Sequence, residues 1–183
     1  MTREQALQTL ERYVPNKNLI NHMVATEAVM GRLAKRFEQD EVEWKMAGLL
    51  HDIDYEQTKD KPEEHGLQGA EILAEMGYSP ELIYAVKVHN SALGLPRLGL
   101  LDKALYAADP VTGLILAGAL IRPEKKLATV KVTSLLKRFN EKSFARGANR
   151  EQIAACSELG LSLEEFLTLS LVAMQEIAVD IGL

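Results

Sequence analysis

The ten residues AGLLHDIDYE, Ala47 to Glu56, run apolar for four positions and then set a histidine beside an aspartate. The lead-in predicts a helix capped by Asp40 that ends near His51-Asp52. His51 follows Trp44, Ala47 and Gly48 at seven, four and three positions, so its side chain belongs to the inward stripe of that helix. A His-Asp pair alone cannot complete a metal site, so the meaning of the pair depends on the other histidines and acids.

Helical spacing dominates outward from this stretch in both directions, and alternating β-branched runs are scarce, which makes the class all-α. Thr2 caps a first helix reaching about Tyr13, and a second covers roughly Lys17 to Phe37. The polar segment from Asp54 to Glu63 reads as a loop, followed by helices over about Glu64 to Met76 and Pro80 to His89, the latter capped by Ser79. A further helix starts at Leu100 and is expected to be disturbed at Pro110. Shorter helices follow at about Ala128 to Phe139 and Arg150 to Leu159, and Ser162-Leu-Glu-Glu165 is a capping box opening a last helix toward Val179. With no repeat or linker, the 183 residues read as one domain, a motif-bearing core at about 20–116 and a helical extension at about 123–183.

Composition narrows the function. The formal charge is −5 and no long Lys/Arg block stands out, so bulk nucleic acid and membrane surfaces are not expected partners. One cysteine, Cys156, excludes an internal disulfide framework and a Cys-rich zinc site. Neither a secretory leader nor a membrane span is read from the sequence, so a cytoplasmic location is expected.

All four histidines sit on apolar stripes. His22 has Ala25, Thr26 and Val29 at helical offsets, His89 has Leu82, Ala85 and Val86, and His65 opens a helix beside Gln68, Gly69 and Ile72. One core histidine is usually satisfied by a backbone carbonyl, but four half-buried imidazoles call for a shared explanation. Asp109 lies in an otherwise apolar segment, where an uncompensated carboxylate is costly. Its local alternative is to cap a helix starting at Pro110. Imidazoles and carboxylates together suit iron, manganese, nickel or zinc.

The order His22, His51-Asp52, Asp109 resembles the H…HD…D signature of the HD superfamily of metal-dependent phosphohydrolases, and LLHDIDYE with EEHGLQGAEIL and AVKVHN is similar to its HDIG branch, over roughly Ile20 to Leu116. Asp54 stands where that branch has glycine. The resemblance implies a helical bundle in which His22, His51, Asp52 and Asp109 hold one divalent ion. It also implies that Asp52 bridges to a second ion held by His65 and His89. Cobalt and magnesium join the ions expected. Ligation needs neutral imidazole, so occupancy is expected to fall as pH drops through about 6.5.

Such a pair of ions can acidify a water and polarise a phosphoryl oxygen, which makes a small phosphate ester, a nucleotide among them, the expected substrate. Asp52 and Asp54 are the candidate catalytic carboxylates, Asp54 either taking a proton or orienting a histidine. Lys59, Lys61, Arg97 and Lys103 are candidate phosphate contacts, although a cation in a polar segment is usually solvated and Lys103 can pair with Asp102. Two rival readings are a mixed-valence di-iron oxygenase with the same six ligands and a non-catalytic signalling domain. Nothing in the sequence sets the oligomeric state.

Overall fold

The computed structural model describes residues 1–141 and 143–183, all helix, turn or loop. Ten α-helices follow in order: α1 Arg3–Tyr13, α2 Lys17–Arg36, α3 Glu41–Leu50, α4 Tyr55–Thr58, α5 Leu67–Glu75, α6 Pro80–His89, α7 Leu100–Leu120, α8 Val132–Phe139, α9 Arg150–Ala154 and α10 Leu163–Glu176. Short 3-10 turns lie at Ser91–Leu93, Leu127–Thr129 and Ala155–Leu159.

Their starts follow the capping chemistry. Thr2 and Gln5 form a capping box on α1, as Ser162 and Glu165 do on α10, and the Asp40 carboxylate accepts the Val42 and Glu43 N–H groups at the head of α3. α7 is the axle of the bundle. It is buried nearly all round, through Ala104, Leu105, Ala108, Val111, Leu114 and Ile115 among others, and packs against α2, α6, α9 and α10.

Pro110 does not disturb it. The helix runs unbroken from Leu100 to Leu120, because burial on several sides outweighs one missing N–H donor. Asp109 is therefore in mid-helix and caps nothing. Two other expectations also shift. The 54–63 segment contains α4, and α5 begins at Leu67 rather than Glu64, because Gly66 takes a left-handed φ of 80°. A side chain on Gly66 would also press on the Val86 and Lys87 carbonyls.

The α2–α3 pair is held at close range by Gly48. A Cβ there would lie 2.8 Å from the Thr26 carbonyl oxygen and 2.9 Å from the Glu27 Cα, contacts that only a backbone shift could relieve. Gly48→Ala is therefore expected to destabilise the fold by about 1–3 kcal/mol, measured as a lower midpoint in thermal unfolding. An unchanged midpoint would show that the two helices separate freely.

Candidate metal centre

Five elements converge. His22 comes from the second turn of α2, His51 and Asp52 from the exit of α3, His65 from the turn before α5, His89 from the last position of α6, and Asp109 from the middle of α7. The chain thus places all six expected side chains together. His51 is fully buried, and Asp52 and His89 are nearly so.

Each imidazole is oriented by a protein acceptor on Nδ1. His51 Nδ1 donates to the Gly48 carbonyl at 2.8 Å, and His89 Nδ1 to the Val86 carbonyl, in both cases one turn back on the residue's own helix. His22 Nδ1 lies 2.9 Å from Thr112 Oγ1, whose own hydroxyl donates to the Asp109 carbonyl, so the imidazole is the donor in that pair. His65 Nδ1 donates to Asp54 Oδ1 at 2.9 Å. Every Nε2 is consequently directed inward, with a lone pair to offer whenever the ring is neutral.

Those Nε2 atoms face one another in pairs, His22 with His51 at 3.2 Å and His65 with His89 at 3.1 Å. Two lone pairs in such contact repel unless a proton or a cation lies between them. Asp52 stands between the pairs. Its Oδ2 is 3.8 Å and 3.5 Å from the His22 and His51 Nε2 atoms, and its Oδ1 is 3.3 Å and 3.4 Å from those of His65 and His89. Asp109 Oδ1 adds a contact of 3.1 Å to His22 and 3.8 Å to His51. Ligands bound at about 2.0–2.2 Å to a common ion lie about 3–3.5 Å from one another, so the donor set fits a divalent metal in spacing and in chemistry. His22, His51 and Asp109 form one group able to hold an ion, and His51, Asp52 and His89 form another, with His51 where the two meet.

The charges explain how the group survives burial. Burial alone would lower the His51 pKa, but the Asp52 and Asp109 carboxylates outweigh it and lift the group to about 9. His65 is likewise pulled down by burial and raised to about 10 by Asp52 and Asp54. Burial works against the charged forms of Asp52, Asp54 and Asp109, and their histidine neighbours still hold all three below the usual carboxylate range. In the metal-free protein, then, protons on His51 and His65 occupy the place of cations, and the binding window moves well above the 6.5 of an ordinary histidine.

Metal uptake is accordingly expected to release protons and to tighten as pH rises toward 9–10. These histidine pKa values are raised by folding. The stability their pairing contributes to the metal-free protein is complete below about 6.5 and is lost as pH climbs through 9 to 10. Calorimetric titration in buffers of different ionisation enthalpy would count the protons. Uptake without proton release at pH 7 would contradict the charge assignment.

Of the two places expected of Asp54, the geometry matches the one in which it orients a histidine. It is fully buried behind His65, with Oδ1 on that imidazole and Oδ2 accepting the Gly66 and Gly69 N–H groups at 2.8 Å and 2.7 Å. No oxygen is left to meet a substrate. The four candidate phosphate cations are also engaged elsewhere or absent from the cleft. Lys59 pairs with Glu56 and Lys61 with Glu64, Arg97 pairs with Glu158 and lies over the Tyr106 ring, and Lys103 is not at the site.

A cleft of about 480 Å³ opens onto the cluster, lined by His22, Asp52, His65 and Asp109 and by residues the sequence did not single out: Asn16, Asn18 and Leu19 at the start of α2, Tyr55, Gly113, and Gly147 with Ala148. Tyr55 is partly exposed and sets its ring edge-on to His65 at 5.7 Å. Thr112, the anchor of His22, was findable as a hydroxyl three positions after Asp109 on one helix. Gly147 and Ala148 reach the cleft only through tertiary folding and carry no local signal.

Residues 19–114 match the HD domain family. The chain is 30% identical over 98 residues to Ribonuclease Y of Oleidesulfovibrio alaskensis, a stretch that is 54% of this chain and 18% of that protein, and to the same extent to Ribonuclease Y of Nitratidesulfovibrio vulgaris. It is 34% identical over 107 residues to an uncharacterised protein of Methanocaldococcus jannaschii, covering 51% of this chain and 62% of the other. The chain thus spans about a fifth of the Ribonuclease Y relatives it matches. No solved structure gives a match. Among the described residues, no helix is long and apolar enough to cross a membrane.

Proposed function

Because the chain belongs to the HD-domain family, a family of metal-dependent phosphohydrolases, we propose that it hydrolyses a small phosphate ester at the His/Asp cluster. One observation carries the reading: four imidazoles locked through Nδ1 present facing Nε2 pairs on either side of a single carboxylate, Asp52. His22, His51, Asp52 and Asp109 would hold one ion, and His65, His89 and the other oxygen of Asp52 a second. Ions held there would polarise a phosphoryl oxygen and acidify a water at neutral pH.

The chain's own residues supply the rest. Asp54 and Thr112 fix the tautomers of His65 and His22, so neither ring has to reorient during turnover. Among the described residues no Lys or Arg lines the cleft, so the phosphate charge falls to the centre itself and to the Asn16 and Asn18 amides at the rim.

The test is phosphate release from a panel of phosphate esters by protein stripped of metal and reloaded with Mn, Fe, Co, Ni, Zn or Mg, with oxygen uptake followed in parallel. Metal-dependent phosphate release supports the proposal. Oxygen consumption without it would favour the di-iron oxygenase, and neither activity with any ion would point to a non-catalytic domain.

A second reading, an RNA substrate, has one observation in its favour besides the name of the Ribonuclease Y relatives. Residues 121–150 contain nine Lys/Arg and two Glu in a chain of net charge −5, and Gly147 and Ala148 of this segment border the cleft. Steeply salt-dependent binding and cleavage of an oligoribonucleotide would favour it over a small ester.

A further inference from the structure

Beside the cleft, on the far side of His22, lies a second cavity of about 400 Å³ enclosed by α2, α7, α10 and the segment after it. It shares Asn18, His22 and Gly113 with the cleft, so the two adjoin along these residues. Its remaining wall is mostly apolar, from Ala25, Leu116, Leu120, Met174, Ile181 and Leu183, and among the described residues His22 is the one lining it with an ionisable side chain.

The course of α7 explains the arrangement. Asp109, Gly113, Leu116 and Leu120 recur at helical spacing and lie along one stripe, so a single helix face passes from the metal-site carboxylate across a gap to an apolar wall. The gap is Gly113. A Cβ built there meets no atom within 4 Å, whereas one on Gly118 of the same helix would press on Leu135. Leu116 and Leu120 remain 37% and 48% exposed, apolar surface that folding of the chain leaves uncovered. The eleven steps of helix from Asp109 to Leu120 extend about 16 Å, room for an organic group next to a phosphate.

We propose that this second cavity receives an apolar organic group of the phosphate ester, with Gly113 as the position that decides its size. This substrate class rests on the phosphohydrolase reading, so the test separates the two. The probes are 1-naphthyl phosphate and glycerol 3-phosphate as esters, and 1-naphthol, which needs no hydrolysis, as a binding ligand followed by its fluorescence.

The parent protein is expected to favour the naphthyl ester at least 10-fold in kcat/KM and to bind 1-naphthol. Gly113→Leu starts from a Cβ that meets no atom within 4 Å, extends into the junction and favours the helix. It is expected to cut the naphthyl-to-glycerol ratio at least 10-fold, chiefly through KM, and to weaken 1-naphthol binding by a similar factor. Leu120→Asn, at a half-exposed site that tolerates polarity, is expected to raise the naphthyl KM several-fold, and it decides the matter if circular dichroism shows Gly113→Leu misfolded. If the parent hydrolyses no ester yet binds 1-naphthol in a Gly113-dependent way, the hydrolase reading falls and the cavity assignment stands. Ester turnover with no naphthyl preference, or 1-naphthol binding equal in the parent and both variants, overturns the cavity assignment alone.

Discussion

Asp52→Ala is expected to leave the protein with well under one bound ion per chain and to lower ester hydrolysis by more than about 100-fold, since removing even an outer partner of a metal ligand costs about 10–100-fold. The magnitude follows from its position. The two oxygens of Asp52 face different histidine pairs, so one substitution withdraws negative charge from both at once. The change should also lower the His51 and His65 pKa values, because Asp52 is a principal group raising each. Titration of the metal-free variant by NMR would show both histidines losing their protons at lower pH, a readout independent of turnover. Asp52→Asn preserves volume and should behave like the alanine. A variant with full metal content and parental turnover would remove Asp52 from the centre.

The double change His65→Ala and His89→Ala is expected to lower bound metal from two ions toward one and to reduce hydrolysis by about 100-fold or more, with the helical circular dichroism retained. His65 lies in a turn and His89 at the last position of α6, so this pair depends on segments closer to loops than His22 in the body of α2 does. The second ion should therefore bind more weakly, and titration of metal content would show two separable steps. Hydrolysis at the parental rate with one ion bound would make the site mononuclear and assign these histidines to substrate or core.

Much of this was legible in the residues. The stripes carrying His22, His51 and His89 follow from helical spacing, which survives folding because the same periodicity decides burial. The caps Thr2, Asp40, Ser79 and Ser162 act within three residues and need no tertiary information. Asp109 was harder. Asp-Pro is a turn signal locally, and only packing around α7 carries the helix through it. The place of Asp54 was hidden for another reason: sequence offers a carboxylate near a histidine but not the side of the ring on which it lies, and here it lies behind. The surface cations were left between two readings by the sequence. Proximity in sequence to a motif suggested phosphate contacts, while Glu56, Glu64 and Glu158 supplied nearer partners. The lift on His51 and His65 was only partly legible: Asp52 adjoins His51 in sequence, but the approach of Asp52 to His65 and of Asp109 to His51 exists only once the helices pack.

The two halves of the cluster draw on the chain in different ways, and this sets how the protein should breathe. His22, His51 and Asp109 come from α2, α3 and α7, elements separated by nearly half the chain, so α7 cannot peel away from α2 while all three side chains keep a common ion. An ion there would fuse these helices into one cooperative opening unit, and their slowest amide hydrogens should become protected together. Asp52, His65 and His89 lie within a single contiguous stretch, so that stretch can open and release an ion while the long helices stay closed. Exchange in α5 and α6 would then follow metal concentration on its own, ahead of the rest of the bundle.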